Sequence, residues 1–259
     1  MTTAAADERR SVPEHQTAEF AAVQTTMADK RGYLFCKRAF DLVVAGSLLL
    51  ATLPICALAA VAVKLTSKGP VFYRARRAGL HGRPFLMLKF RTMRTASDTA
   101  DRKITDARDD RITAIGALLR KTKVDELPQL WNVLRGEMSI VGPRPEDHDF
   151  VVQHYSTEHM RSLATRPGIA CTAEVRWYPD LTFHDPAPPG VSTQEHYLRR
   201  HMPAQVAEGI RYAEQQNLWL DCKILLQTAA CVLFRSWVPQ PKRPVSLLPI
   251  EQDGPEVRS

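Results

Sequence analysis

Hydrophobic positions along this chain fall into one long uncharged run and several short, punctuated ones. The long run extends from Leu42 to Val63, about 22 residues, with Pro54 in its middle. As a straight helix rising roughly 1.5 Å per residue it would span about 33 Å, enough for a bilayer core. Pro54 removes the donor that would bond the Leu50 carbonyl, which disfavours a straight helix by about 3 kcal/mol. Lys30, Arg31, Lys37 and Arg38 precede the run, and Lys64, Lys68, Arg74, Arg76 and Arg77 follow it. Basic residues near a membrane helix stay on the cytoplasmic side. A helix that enters, breaks at Pro54 and leaves by the same face satisfies both flanks. A single-pass anchor with a tolerated kink is the alternative.

Beyond the run the apolar pattern shortens. From Gly69 to Arg91, short apolar and basic runs flank a Gly79-Leu-His-Gly82 turn, which predicts a β-hairpin. Ile112, Ile115, Leu118 and Leu119 recur at helical spacing. Pro128 belongs to the first turn of the next helix or to a kink. A last helix is expected from about Thr193 or Gln205 through Trp219 to Leu233, its end apolar enough to lie on a membrane surface. Thr95 to Asp110 and the proline-rich Thr182 to Ser192 read as loops.

These elements divide the chain into a polar tail over 1–29, a basic collar and membrane helix over 30–68, one compact domain over 69–237 and a proline-rich tail over 238–259. Both tails read as disordered. The expected class is α+β, mainly helical with a small β-hairpin, a re-entrant membrane helix anchoring a cytoplasmic domain. About forty polar residues ahead of the apolar run argue against a cleaved secretory signal.

Charge narrows the partners. A net charge of +7 implies anionic lipid head groups, phosphorylated small molecules or nucleic acid. The basic residues crowd beside the membrane segment, which favours the first two. Aromatic residues are not interleaved with the basic patches, which argues against nucleic acid. Cys36, Cys56, Cys171, Cys222 and Cys231 form no C-x-x-C pair and read as small buried hydrophobes in a reducing compartment. The histidines show no metal-ligand spacing, and there is no P-loop, dinucleotide glycine pattern or Ser/His/Asp arrangement.

The densest chemistry lies between Leu118 and Pro145. Asp125 and Glu126 are adjacent carboxylates just before Leu127-Pro128, where a helix would begin. Helix capping is the plainer reading, and on residue chemistry alone the stronger. Against it stand Arg120, Lys121, Lys123, Arg135 and Arg144, all within one or two turns or a short loop. Carboxylates among many cations can remain ionised, hold a divalent metal and face a phosphate. An ionised Asp can also attack phosphorus. Lys89 and Arg91 would share one face of a strand, close to Arg94. Arg144 is stiffened between Pro143 and Pro145, and its guanidinium fork suits bidentate phosphate binding; Arg166 before Pro167-Gly168 has the same character. A metal-dependent nucleotide-diphosphate hydrolase and a non-catalytic lipid-binding scaffold remain competing readings.

Taken in order, these motifs resemble the bacterial sugar transferases, the monotopic polyprenyl-phosphate phosphoglycosyl transferases. The resemblance runs from Lys37 to about Leu233. It is carried by Lys37-Arg-Ala-Phe-Asp41, Gly69-Pro-Val-Phe-Tyr73, Lys89-Phe-Arg-Thr-Met93, Leu119-Arg-Lys-Thr-Lys-Val-Asp-Glu-Leu-Pro-Gln-Leu130 and Met138-Ser-Ile-Val-Gly-Pro-Arg-Pro145. Arg166-Pro-Gly-Ile169 and Leu218-Trp-Leu-Asp-Cys-Lys-Ile224 complete it. It implies the short, catalytic-domain form on the cytoplasmic face of the bacterial inner membrane, with anionic lipids as neighbours and room for an oligomer. The implied reaction moves a sugar-1-phosphate from a UDP-sugar to undecaprenyl phosphate and releases UMP, as a first membrane step of polysaccharide or glycoconjugate synthesis. Asp125 would be the nucleophile, forming a covalent phosphosugar, with Glu126 and Asp125 holding Mg2+. Lys89, Arg91, Arg120, Arg144 and Arg166 would surround the phosphates. The chain departs from the family pattern at Ala170-Cys-Thr-Ala-Glu-Val-Arg-Trp-Tyr178, which leaves the sugar open.

Overall fold

The computed structural model describes residues 30–94, 111–177 and 190–233; both tails and the stretches 95–110 and 178–189 lie outside the described residues. Its first element, α1 (Arg31–Thr66), is a helix of 36 residues that absorbs the whole apolar run. At about 1.5 Å per residue it is roughly 54 Å long. Pro54 does not end it. The break expected there becomes a proline carried inside one continuous helix, with its ring exposed rather than wedged against another element.

Each end of α1 buries one stripe of side chains, and its middle is bare. Lys37, Asp41 and Ala45 are buried near the start, Ala59 and Val63 near the end, each set at helical spacing. Leu50, Leu53 and Ile55 are exposed between them. At the start, the Lys37 ammonium donates to the Val141 carbonyl and to the Asp221 carboxylate, both at 2.9 Å. Tyr212 and Tyr33 also donate to Asp221, at 2.6 and 2.9 Å. Asp41 accepts from the Ser139 hydroxyl and the Ile140 amide, both at 3.0 Å. Every one of these charges has a partner, as burial demands. At the far end, Ala59 and Val63 pack on Phe90 and Leu119.

The expected hairpin forms. Strands β1 (Phe72–Ala78) and β2 (Pro84–Phe90) pair antiparallel, from Phe72 opposite Phe90 to Ala78 opposite Pro84. The turn between them needs a left-handed backbone at Gly82, φ 71°, and at His81, φ 56°. The outer edge of β2 is occupied by a side chain. Asn132 donates to the Leu86 carbonyl at 2.8 Å and accepts from the Leu88 amide at 3.0 Å, standing in for a third strand. Asn132 belongs to α3 (Gln129–Arg135), which follows α2 (Ala114–Thr122) through a tight turn. Thr113 caps α2 by accepting from the Gly116 amide at 2.9 Å.

A second sheet was not expected. Strands β3 (Ser139–Val141) and β4 (Gly168–Ala170) pair in parallel, three residues each. They approach so closely at Gly142 and Gly168 that a Cβ on Gly168 would lie 2.0 Å from the Gly142 nitrogen. Helix α4 (His148–His154) packs against β1, and α5 (Thr172–Trp177) follows β4. The single last helix of the sequence reading is corrected to separate segments. Helix α6 (Thr193–His196) runs through a wide turn at Tyr197–His201 into α7 (Met202–Gln215). Pro203 begins α7 without an N–H to return to Arg199, which accounts for the widened turn. The chain then breaks, and Asn217 caps α8 (Leu218–Leu233) by accepting from the Leu220 amide at 2.9 Å.

Candidate active site

Asp125 and Glu126 sit on a single tight turn, Val124–Glu126, between α2 and α3. Lys123 opens that turn in the left-handed region, φ 59°, and so reverses the chain at the end of α2. The two carboxylates meet different surroundings. Glu126 Oε1 accepts from the Lys89 ammonium of β2 at 2.9 Å, with the Lys123 ammonium 3.8 Å away. Burial works against its charge, but Lys89 and Lys123, with Arg144 further out, hold it well below the ordinary carboxylate range. Asp125 is buried, and its Oδ1 has no hydrogen-bond partner. Desolvation, with the neighbouring Glu126 charge, pushes its pKa up to about 6 against the pull of Lys89, Lys123 and Arg120.

The pair does not cap α3. Pro128 precedes that helix, and no side-chain cap hydrogen bond is made at its start. An orphaned buried carboxylate oxygen beside a fixed anion is costly for a purely structural turn. It suits an oxygen meant to meet an electrophile or a cation. The donor set also fits a magnesium ion, which takes one or two carboxylates and fills its remaining positions with water and substrate phosphate. Among the described residues no group of three or more metal-type side chains gathers, so a closed protein cage is not the form such a site takes here.

Arg144 reaches this place through the second sheet. The Gly142 amide donates to the Ala170 carbonyl at 3.1 Å and the Gly168 amide to the Pro143 carbonyl at 2.8 Å, clamping the loop that carries Arg144 onto β4. Arg144 is close enough to help depress Glu126 and to act on Tyr197. The Tyr197 hydroxyl donates to the Glu146 carboxylate, itself buried. Arg120 is steadied by its Nε, which donates to the Thr92 hydroxyl at 2.8 Å.

The family model for bacterial sugar transferases matches residues 32–235. The chain belongs to that family. A UDP-glucose:undecaprenyl-phosphate glucose-1-phosphate transferase of Caulobacter vibrioides is 40% identical over 199 residues, covering 76% of this chain and 69% of the relative. An uncharacterised sugar transferase of Bacillus subtilis, EpsL, is 41% identical over 80% of this chain and 92% of its own length. A UDP-N-acetylgalactosamine-undecaprenyl-phosphate N-acetylgalactosaminephosphotransferase of Aeromonas hydrophila is 33% identical over 78% of this chain, which spans 44% of that longer relative.

In this bacterial sugar transferase the fold gathers Asp125, Glu126, Lys89, Arg120 and Arg144 at one place, and adds Lys123. Two other basic residues of the sequence reading each place a donor on a helix end, though Arg91 Nε and Nη1 are buried with no hydrogen-bond partner. Arg91 is buried, and its Nη2 donates to the carbonyl and hydroxyl of Ser67 at 2.7 and 2.8 Å, closing the end of α1. Arg166 donates through Nε to the Gly136 carbonyl at 2.8 Å. There it joins Arg38, which bonds the Val133 and Leu134 carbonyls at 2.7 and 3.0 Å; together they close the end of α3. Cations at helix C-termini are favoured by the exposed carbonyls. Lys123, counted in the sequence among the cations around the acid pair but not among the phosphate ligands, stands 3.8 Å from Glu126.

Proposed function

We propose that this protein transfers a sugar-1-phosphate from a UDP-sugar to undecaprenyl phosphate and releases UMP. The names of its relatives support the general reaction. The observation that carries the finer reading is Asp125, a buried carboxylate with a free Oδ1 beside a Glu126 already engaged by Lys89. In the first half-reaction an Asp125 oxygen forms a bond to the sugar-bearing phosphorus as the bridging P–O bond breaks, and UMP leaves with that electron pair. In the second, an oxygen of the lipid phosphate attacks the same phosphorus and expels Asp125 as carboxylate. Lys89 and Lys123 fix Glu126 while Arg120 and Arg144 supply positive charge where phosphate oxygens gather, so the work is positioning and electrostatics. Mg2+ held by Glu126 and Asp125 would supply neutralisation of the diphosphate charge.

The protein works at the membrane, in this reading as a monotopic enzyme on the cytoplasmic face of the inner membrane. One helix, α1, is long and apolar enough to cross a bilayer. That both its ends dock on the same folded domain supports a helix that enters and leaves by one face. The exposed Trp219 and Leu226 of α8 support a second, surface contact with lipid.

Purified protein given UDP-sugar without lipid acceptor should release about one equivalent of UMP and carry a phosphosugar on Asp125, located by mass spectrometry. UDP-glucose and UDP-N-acetylgalactosamine are the first donors to screen, because the relatives named above differ in that sugar. An adduct on another residue, or full turnover by Asp125→Asn, overturns the mechanism.

A further inference from the structure

Directly across the hairpin from Lys89 stands Tyr73. Opposed residues of an antiparallel pair share a face, with Cβ atoms roughly 4.5–5.5 Å apart. Lys89 uses that face to reach Glu126, so Tyr73 occupies the same face as the acid pair. Its side chain is not packed away: Tyr73 is 57% exposed.

The position of β1 gives the ring a second property. The strand starts six residues after α1 ends at Thr66. Phe72, also exposed, stacks on Phe90 with ring centroids 5.3 Å apart. Lys64 and Lys68 are exposed in the same stretch. Aromatic rings and ammonium groups at the end of an apolar helix are the composition of a membrane–water boundary, where a tyrosine keeps its ring in the apolar layer and its hydroxyl wet. Tyr73 is therefore both in the boundary band and on the face that carries Lys89 to Asp125 and Glu126.

We propose that Tyr73 receives the lipid acceptor, donating its phenolic hydrogen to the phosphate monoester head group as that group approaches the acid pair. The phenol adds a donor there without adding charge beside Lys89 and Lys123. A water-soluble sugar nucleotide has no need to pass the boundary band, whereas a phosphate tethered to a long apolar chain has to cross it. This rests on the transferase reading above, and the test separates the two.

Full-length protein in lipid nanodiscs is compared with Tyr73→Phe, which keeps the ring and removes only the hydroxyl. The KM for undecaprenyl phosphate should rise about 10-fold, equivalent to about 1.4 kcal/mol. The KM for the UDP-sugar and the burst of UMP formed without acceptor should stay as in the wild type. An unchanged lipid KM overturns the proposal. So does a UDP-sugar KM or UMP burst that changes in step with turnover, which would place Tyr73 on the nucleotide sugar. Absence of any burst in the wild type would sink the covalent intermediate, while the split between the two KM values would still decide the role of Tyr73.

Discussion

In the proposed mechanism Asp125 holds function at the expense of stability. Its native pKa of about 6 stands above the ordinary 3.8, chiefly because burial disfavours its charge. For an acid shifted upward, the native state gains below the unfolded pKa, and that gain is lost as pH rises through the native pKa. At neutral pH the ionised Asp125 therefore strains the fold. Asp125→Asn should abolish turnover and yet become more stable relative to the wild type as pH rises from 4 to 7. A shift of roughly two pKa units sets the size of that change at about 3 kcal/mol. Thermal unfolding in detergent across this range checks it, and a pH-independent difference would remove the strain argument. For the wild type, the rate of UMP release should rise with pH, half-maximal near pH 6 and level about one unit above, as the proposed nucleophile ionises. Glu126→Gln keeps the shape but loses the charge that faces Lys89, so it should lower the rate and raise the magnesium concentration needed for half-maximal activity. A magnesium titration of the variant against the wild type measures this, and an unchanged requirement would detach Glu126 from the metal.

Elements, rather than residues alone, set the distance between Lys89 and Glu126. Asn132 ties α3 to the free edge of β2, and Glu126 lies at the head of α3 while Lys89 lies at the end of β2. Asn132→Leu leaves a backbone carbonyl and amide unsatisfied and should destabilise the protein by about 2–4 kcal/mol, with activity falling further than stability alone explains. Chemical denaturation paired with UMP release reads both. Gly142→Ala should be as severe for another reason. Its new Cβ would lie 2.3 Å from the Arg166 carbonyl, which forces β3 and β4 apart and displaces Arg144. The hairpin was legible in the sequence because glycine, proline and alternation mark it. The second sheet was not, because strands of three residues have no period to read and depend on a contact 29 residues away, Ser139 with Gly168. The same limit applied to the arginines. Sequence alone does not separate a guanidinium aimed at phosphate from one closing a helix, so Arg91 and Arg166 read like Arg144, whereas in the fold Arg91 Nη2 bonds Ser67 and Arg166 Nε bonds Gly136.

For the molecule as a whole, the long apolar helix and the domain pack as one body. The buried cluster of Lys37, Asp41 and Asp221 fixes the start of α1, and the apolar seat of Ala59 and Val63 on Phe90 and Leu119 fixes its end. The sequence marked both flanks as basic but could not say that they rest on the same domain, since Lys37 and Asp221 are 184 residues apart. Removing one member of a buried ion pair leaves the other uncompensated, so Lys37→Met should cost about 3–5 kcal/mol. If both seats lie on one domain, both flanks lie on one side of the bilayer. Single cysteines placed at Gly32 and at Lys68, in a background lacking the five native cysteines, test this directly; both positions are exposed. In inverted vesicles, whose cytoplasmic face is outward, an impermeant thiol reagent should label both. In right-side-out spheroplasts it should label neither. Labelling of one position in each preparation would mean that α1 crosses the membrane, and the docking of both its ends on a single domain would then need another explanation.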